Sequence, residues 1–304
     1  MLDALGPVAL LIGSGYLLRA TGFMPEAGWA PVDRLVYFVL FPCLLFRELA
    51  VAELVAVPVA RMATCLLLVQ LAMAGLAAAV RPAFGLSGPA YTSVLQCVVR
   101  WNSYVALALA PAVSPQAGVP LAALAVAVMV PSANVLSVAA LACHGSAARA
   151  GPAAFARALV SNPLIVATVA GVAVNLAGIR LPPLLLEPMA LAGRATLALG
   201  LLTVGAGLRP GVIVTRPGLT LVASGAQLLL KPLLATAIGL LLGLGGPALA
   251  VSVLACAVPT ATSAYILARL LGGDAELMAA LVTATTVGAV VTLPLVMGLI
   301  GAVT

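Results

Sequence analysis

The chain alternates long apolar stretches with brief polar interruptions, and the stretches have the length of a lipid bilayer. A hydrocarbon core of about 30 Å takes roughly 20 apolar residues in a helix. Ten runs answer to that length: 3–20, 34–52, 58–80, 88–110, 118–142, 160–179, 185–207, 218–243, 247–271 and 277–302. The pattern predicts an all-α membrane protein of ten transmembrane helices. Its longest polar gap, around His144 to Arg157, separates a first five-helix unit (1–143), a linker (144–158) and a second five-helix unit (159–304).

Composition agrees, since 64% of the 304 residues are hydrophobic and 7% are charged, too few charges to cover a water-soluble domain. The net charge of +6 sits on isolated arginines between apolar runs, with no basic patch or aromatic stacking surface, so no nucleic-acid partner is expected. These arginines mark topology instead, because Lys and Arg are retained on the cytoplasmic side. One set of loops holds Arg19, Arg34, Arg81, Arg149, Arg157, Arg209, Arg216 and Arg269, and the other holds Arg47, Arg61 and Arg180. With ten spans, that asymmetry places both termini on the non-cytoplasmic side of the inner membrane and the linker inside. The first run reaches Arg19 without a basic leader or a small-residue cleavage site, so it is expected to be retained. Cys43, Cys65, Cys97, Cys143 and Cys256 are scattered and His144 is the one histidine, a distribution that suits buried small hydrophobes and predicts no metal or cofactor site.

The two units show signs of an internal repeat. A shift of 156 residues superposes Pro7 on Pro163, Gly15 on Gly171 and Gly22 on Gly178. A shift of about 160 brings Arg34 onto Arg194 and the stretch from Asn102 to Ala108 near that from Thr262 to Ala268. Leu121-Ala122-Ala123-Leu124 likewise resembles Met278-Ala279-Ala280-Leu281. A repeat with an odd number of helices is inserted upside down, which predicts two inverted five-helix repeats and a binding site at the midplane between them.

Such a site forms where helices break, because freed backbone groups then face a cavity instead of lipid. In the ninth run Pro259 precedes Thr260, Thr262 and Ser263, with Tyr265 one turn on; in the fourth run Arg100, Asn102 and Ser103 interrupt an apolar stretch. These eight residues are the candidate substrate-binding set. Half-helix N-termini there carry partial positive charge, which suits an anion such as a carboxylate. Each has a plainer reading: Pro259 as a kink in a packed helix, and Asn102, Thr262 and Ser263 as interhelical hydrogen-bonding glue. Arg100 either contacts substrate or snorkels to a cavity wall, since an unsolvated cation at that depth costs at least about 2.5 kcal/mol. Lys231 and Arg194 are read as structural or cavity-facing, and Gly239 with Gly243 as a small-residue packing motif. The eight acidic residues are expected at span ends or in loops, leaving no proton relay or sodium ligand within the membrane. Transport of an anion would then draw on the membrane potential.

Several segments resemble the auxin efflux carrier family, which includes bacterial malonate- or malate-type carriers and plant auxin exporters. They are Gly15-Tyr16-Leu17-Leu18-Arg19, Asp33-Arg34-Leu35-Val36-Tyr37, Leu40-Phe41-Pro42, Arg100-Trp101-Asn102-Ser103-Tyr104 and Ser161-Asn162-Pro163-Leu164. The most specific runs from Val258 through Pro259 to Tyr265 and on through Gly273-Asp274-Ala275-Glu276-Leu277-Met278. The resemblance implies the bile-acid/sodium-symporter-like fold, with a scaffold domain, a transport domain that moves like an elevator, and broken crossover helices four and nine. It also implies a homodimer. Asn102 matches the family's span-four asparagine and Pro259 its span-nine proline. Where many members carry glycines and a proline after that asparagine, this chain has Ala106 and Ala108, with Pro111 only later, which implies a softer break in span four.

The reading reached is a secondary transporter of small organic anions (carboxylates, auxin-like or dicarboxylate) in contact with the lipid bilayer. The alternatives are a channel or a proton-coupled symporter for another small metabolite. An intramembrane enzyme fits poorly, because the histidine lies in a loop, Gly272-Gly273-Asp274 has no partner aspartate in another span and no GxSxG occurs.

Overall fold

The computed structural model describes residues 2–52, 58–146 and 162–301. The described residues form helices and short connections, with no strand among them. Of the linker, only 144–146 is described, so Arg149 and Arg157 lie outside the described residues, as does Ser161.

In chain order, α1 covers Leu2–Ala20. Next come α2 (Glu26–Leu35), a π-helical segment (Val36–Leu40) and α3 (Phe41–Ala50), which run on as one rod of 25 residues. Then follow α4 (Val59–Val80), α5 (Gly88–Val99), α6 (Ser103–Val113) and α7 (Gly118–His144). The second part has α8 (Pro163–Leu176) and α9 (Pro183–Ala206). There follow α10 (Pro217–Gly225), a π segment (Ala226–Leu230), α11 (Lys231–Leu241), α12 (Gly246–Ala257), α13 (Ser263–Leu271) and α14 (Ala275–Gly301). Among the described residues six rods are long and apolar enough to cross a bilayer unaided: α2–α3, α4, α7, α9, α10–α11 and α14. Leu10, Leu184, Leu221 and Leu241 stand exposed on helix surfaces. An apolar exterior of that kind faces lipid.

The second rod starts at Glu26, eight residues before the apolar run that announced it. Its first turns are polar enough to read as a loop, yet they are helical, and Asp33 therefore lies within a spanning rod.

Glycines set the closest helix contacts. A Cβ on Gly15 of α1 would lie 1.9 Å from the Leu202 carbonyl oxygen of α9, and one on Gly205 of α9 would lie 1.8 Å from that of Ile12. Between α8 and α3, a Cβ on Gly171 would lie 2.7 Å from the Phe46 carbonyl oxygen. No side chain fits at these crossings. Gly15 and Gly171 are 156 residues apart, and so are their contacts Phe46 and Leu202. Gly205 and Gly207 are thus occupied within the chain, Gly207 facing the Thr262 methyl. The Gly239/Gly243 pair also divides: Gly239 accommodates Leu249, whereas Gly243 follows the end of α11 at φ +70°, a turn conformation that favours glycine.

Two half-helices sit at the centre. Every residue of Ala90–Val99 in α5 and Ala248–Ala257 in α12 is buried, as expected of helices apolar on all sides. Each half-helix has 12 residues and opens on Gly-Pro. Direct contacts also gather five connections at one end of the molecule. Arg19 donates to the Leu208 carbonyl, Arg209 pairs with Glu26 at 2.6 Å and Arg216 with Asp274 at 3.7 Å. Ser146 donates to the Gly272 carbonyl, and Arg81 reaches His144 at 3.3 Å.

Candidate functional site at two helix interruptions

Both predicted breaks occur. After α5, Arg100 turns extended (φ −85°, ψ 149°), and α6 restarts at Ser103. No proline is involved; polar caps hold the break. The Asn102 side-chain oxygen accepts the Val105 N–H at 3.3 Å, an N-cap. At the other side of the break, Gln70 of α4 donates its amide to the Val99 carbonyl at 3.0 Å and the Met129 carbonyl at 3.1 Å. The break between α5 and α6 is therefore complete despite Ala106 and Ala108, because capping supplies what proline and glycine would have supplied.

The second interruption covers 258–262. Pro259 has no N–H to continue the α12 ladder. Gln227 donates to the Val258 carbonyl at 2.9 Å, and the Thr260 N–H goes to the Thr285 hydroxyl at 3.2 Å. The two interruptions touch directly: the Asn102 N–H donates to the Pro259 carbonyl at 2.8 Å, and the Thr260 hydroxyl to the Cys97 carbonyl at 2.8 Å. Buried backbone groups that neither helix uses are thereby paired across the crossing.

A cavity of about 500 Å³ opens beside this crossing and extends along α13 to Leu270. Of the eight candidate residues, Arg100, Asn102, Ser103, Thr262 and Ser263 line it. Pro259, Thr260 and Tyr265 do not. Pro259 and Thr260 are buried in the crossing itself, where backbone partners hold them. Tyr265 points elsewhere on α13, its ring 5.8 Å from the Arg269 guanidinium.

Arg100 ties two other helices to the break, donating to Asn134 Oδ1 of α7 at 2.9 Å and to the Ser263 hydroxyl of α13 at 3.0 Å. This answers how a cation is carried at that depth: it is half-buried, hydrogen-bonded and on a cavity wall. Three consecutive residues of the break also keep a buried N–H with no partner among the described residues: Arg100 Nε, Trp101 Nε1 and Asn102 Nδ2. All three residues line the cavity.

Sequence reasoning missed several wall residues. Asp33, Tyr37, Tyr104, Asn134 and Asn162 all face the cavity. Asn162 donates to the Tyr37 hydroxyl at 3.1 Å, and Tyr104 leans on Phe41 with ring centroids 5.0 Å apart. Tyr37, Tyr104 and Asn162 sit inside segments already singled out for family resemblance. Asp33 departs from the expectation that acidic residues fall at span ends or in loops, since it lies two turns inside the rod Glu26–Ala50. Its signal was its spacing, since Tyr37 is one turn further along the same helical face.

The sequence pattern of the membrane transport protein family matches residues 84–297, which include both half-helices and both interruptions. The chain belongs to the auxin efflux carrier family. It is accordingly a multi-pass membrane transporter, and as an auxin efflux carrier family member it meets the bilayer and a small substrate. No curated protein matches the sequence.

Proposed function

We propose that this transporter is a secondary carrier of small organic anions, carboxylates above all, and that the cavity beside the crossing is its substrate site. The observation that carries this reading is the Arg100 guanidinium on the cavity wall, hydrogen-bonded to neutral Asn134 and Ser263 and paired with no carboxylate among the described residues. A cation held at that depth by neutral partners favours an anionic ligand. The N-termini of α6 and α13 begin at the same place and add partial positive charge. The size of the cavity suits a small metabolite.

The proposal includes the architecture: ten spans as two inverted repeats, with α5–α6 and α12–α13 as crossover helices. The matched spacing of the Gly15 and Gly171 contacts supports it, as do the equal half-helices. The arginine-rich connections that meet at one end support a cytoplasmic position for that end, and the cavity runs toward it along α13. An inward-open state of an elevator driven by membrane potential accounts for this. Assembly as a homodimer in the inner membrane completes the reading.

The test is current on a solid-supported membrane from proteoliposomes challenged with mono- and dicarboxylates. Saturable currents with one carboxylate, lost in Arg100→Ala and Asn102→Ala, are expected; folded protein that answers to no anion overturns the reading. Asp33 on the cavity wall favours a second reading, proton-coupled symport. That version requires currents that follow an imposed pH gradient in the parent and not in Asp33→Asn.

A further inference from the structure

Lys231, the first residue of α11, is completely buried. Its Nζ donates to Gln227 Oε1 at 3.2 Å, and no carboxylate faces it among the described residues. The groups near enough to feel its charge are the thiols of Cys97 and Cys256. Those thiols belong to the last turns of α5 and α12, the two half-helices that end at the crossing. A buried ammonium without a counter-ion is too costly to persist unless something negative compensates it.

The compensation is the backbone. A helix C-terminus carries about half a negative charge on its last carbonyls, and two such ends converge here. Gln227 bridges the ammonium to the chain just past one of them by donating to the carbonyl of Val258, the residue that follows α12, at 2.9 Å. The other interruption has no ammonium behind its glutamine: Gln70 makes the equivalent bond to Val99, but its Oε1 accepts from the Ser132 hydroxyl, one turn on stands Ala74 where Gln227 is followed by Lys231, and the Arg100 guanidinium turns instead to Asn134 and Ser263 on the cavity wall.

We propose that Lys231 is a tethered cation that holds the crossing together, supplying from the chain the positive charge that the converging carbonyl ends require, so that the crossing needs no inorganic cation. Lys231 is a positioning residue, since it lines no part of the cavity and acts through Gln227 and the half-helix ends. The inference rests on the carrier reading only for its consequence, a carrier cycle independent of sodium.

The experiment uses the full chain in lipid nanodiscs and two readouts that involve no substrate: thermal unfolding, and maleimide labelling of Cys97 and Cys256 followed by peptide mass spectrometry. In the parent both thiols are protected, and replacing sodium with choline changes neither readout. Lys231→Ala and Lys231→Met should unfold at lower temperature and label roughly tenfold faster, because the crossing opens locally more often. Methylammonium should restore protection saturably in Lys231→Ala, whose vacated space admits it, and tetramethylammonium should not. Should Lys231→Ala resist purification, its recovery after extraction with methylammonium against tetramethylammonium reads the same property. Lys231→Met fills the space without charge, so a Lys231→Met protein as stable and protected as the parent overturns the proposal. Failure of methylammonium to restore Lys231→Ala overturns it as well, as does sodium-dependent stability of the parent. A carrier that moves no carboxylate would leave these outcomes untouched, so the two failures are distinguishable.

Discussion

The two interruptions solve one problem by different chemistry. In each, a glutamine from a neighbouring helix pairs a carbonyl where a half-helix gives out: Gln70 that of Val99, the last residue of α5, and Gln227 that of Val258, the first residue past α12. Beyond that they part. The first break is polar and cavity-facing, with a guanidinium and a capping asparagine, while the second is closed by proline and threonine and backed by a buried lysine. The first break turns its charged and amide groups to the cavity wall, while the second gives the cavity only Ala261 and Thr262 and otherwise holds the backbone in place.

The sharpest way to break that comparison is Gln227→Leu, which strands both the Val258 carbonyl and the Lys231 ammonium. Leaving a buried charge without its partner costs roughly 3–5 kcal/mol, so thermal unfolding should shift most in this variant. Gln70→Leu strands only neutral groups, and a loss of about 1–3 kcal/mol is expected; equal shifts in the two variants would mean that the sides are alike. Third in size is Asn102→Ala, where loss of an N-cap costs about 1 kcal/mol, but carboxylate currents should vanish with little change in unfolding temperature. Pro259→Ala should do least to either readout. Its carbonyl bond to Asn102 survives the change, and Gln227 and Thr260 still fix the chain on both sides. Currents lost in Pro259→Ala but kept in Asn102→Ala would reverse the roles assigned to the two breaks.

Much of this was legible in the sequence, and the parts that were not share a cause. Breaks in apolar runs stand out, so Arg100, Asn102, Ser103, Thr262 and Ser263 were found by pattern alone. Proline advertises a break but says nothing of which side faces a cavity, so Pro259 and Thr260 were grouped with wall residues although they lie inside the crossing. Gln70 and Gln227 passed unremarked because one amide in an apolar helix looks like any interhelical bond. Only their recurrence 157 residues apart, in runs three and eight, sets them aside. Asp33 was hidden by a boundary: polar residues at the head of a long rod read as loop until the backbone is seen to be helical. The π segments at Val36–Leu40 and Ala226–Leu230 have no signature in hydropathy, since an extra residue in a turn alters register and not composition.

The contact of Gly15 with Leu202 and its counterpart at Gly171 and Phe46 has a historical consequence. If the two halves descend from one shorter chain, a single glycine in that ancestor would have served at both places once two copies paired in opposite orientations. Fusion and divergence could then rewrite nearly every other position while this one stayed pinned by a carbonyl oxygen too near to admit a methyl group. Gly15 and Gly171 would be fossils of a dimer that the fused chain now carries within itself.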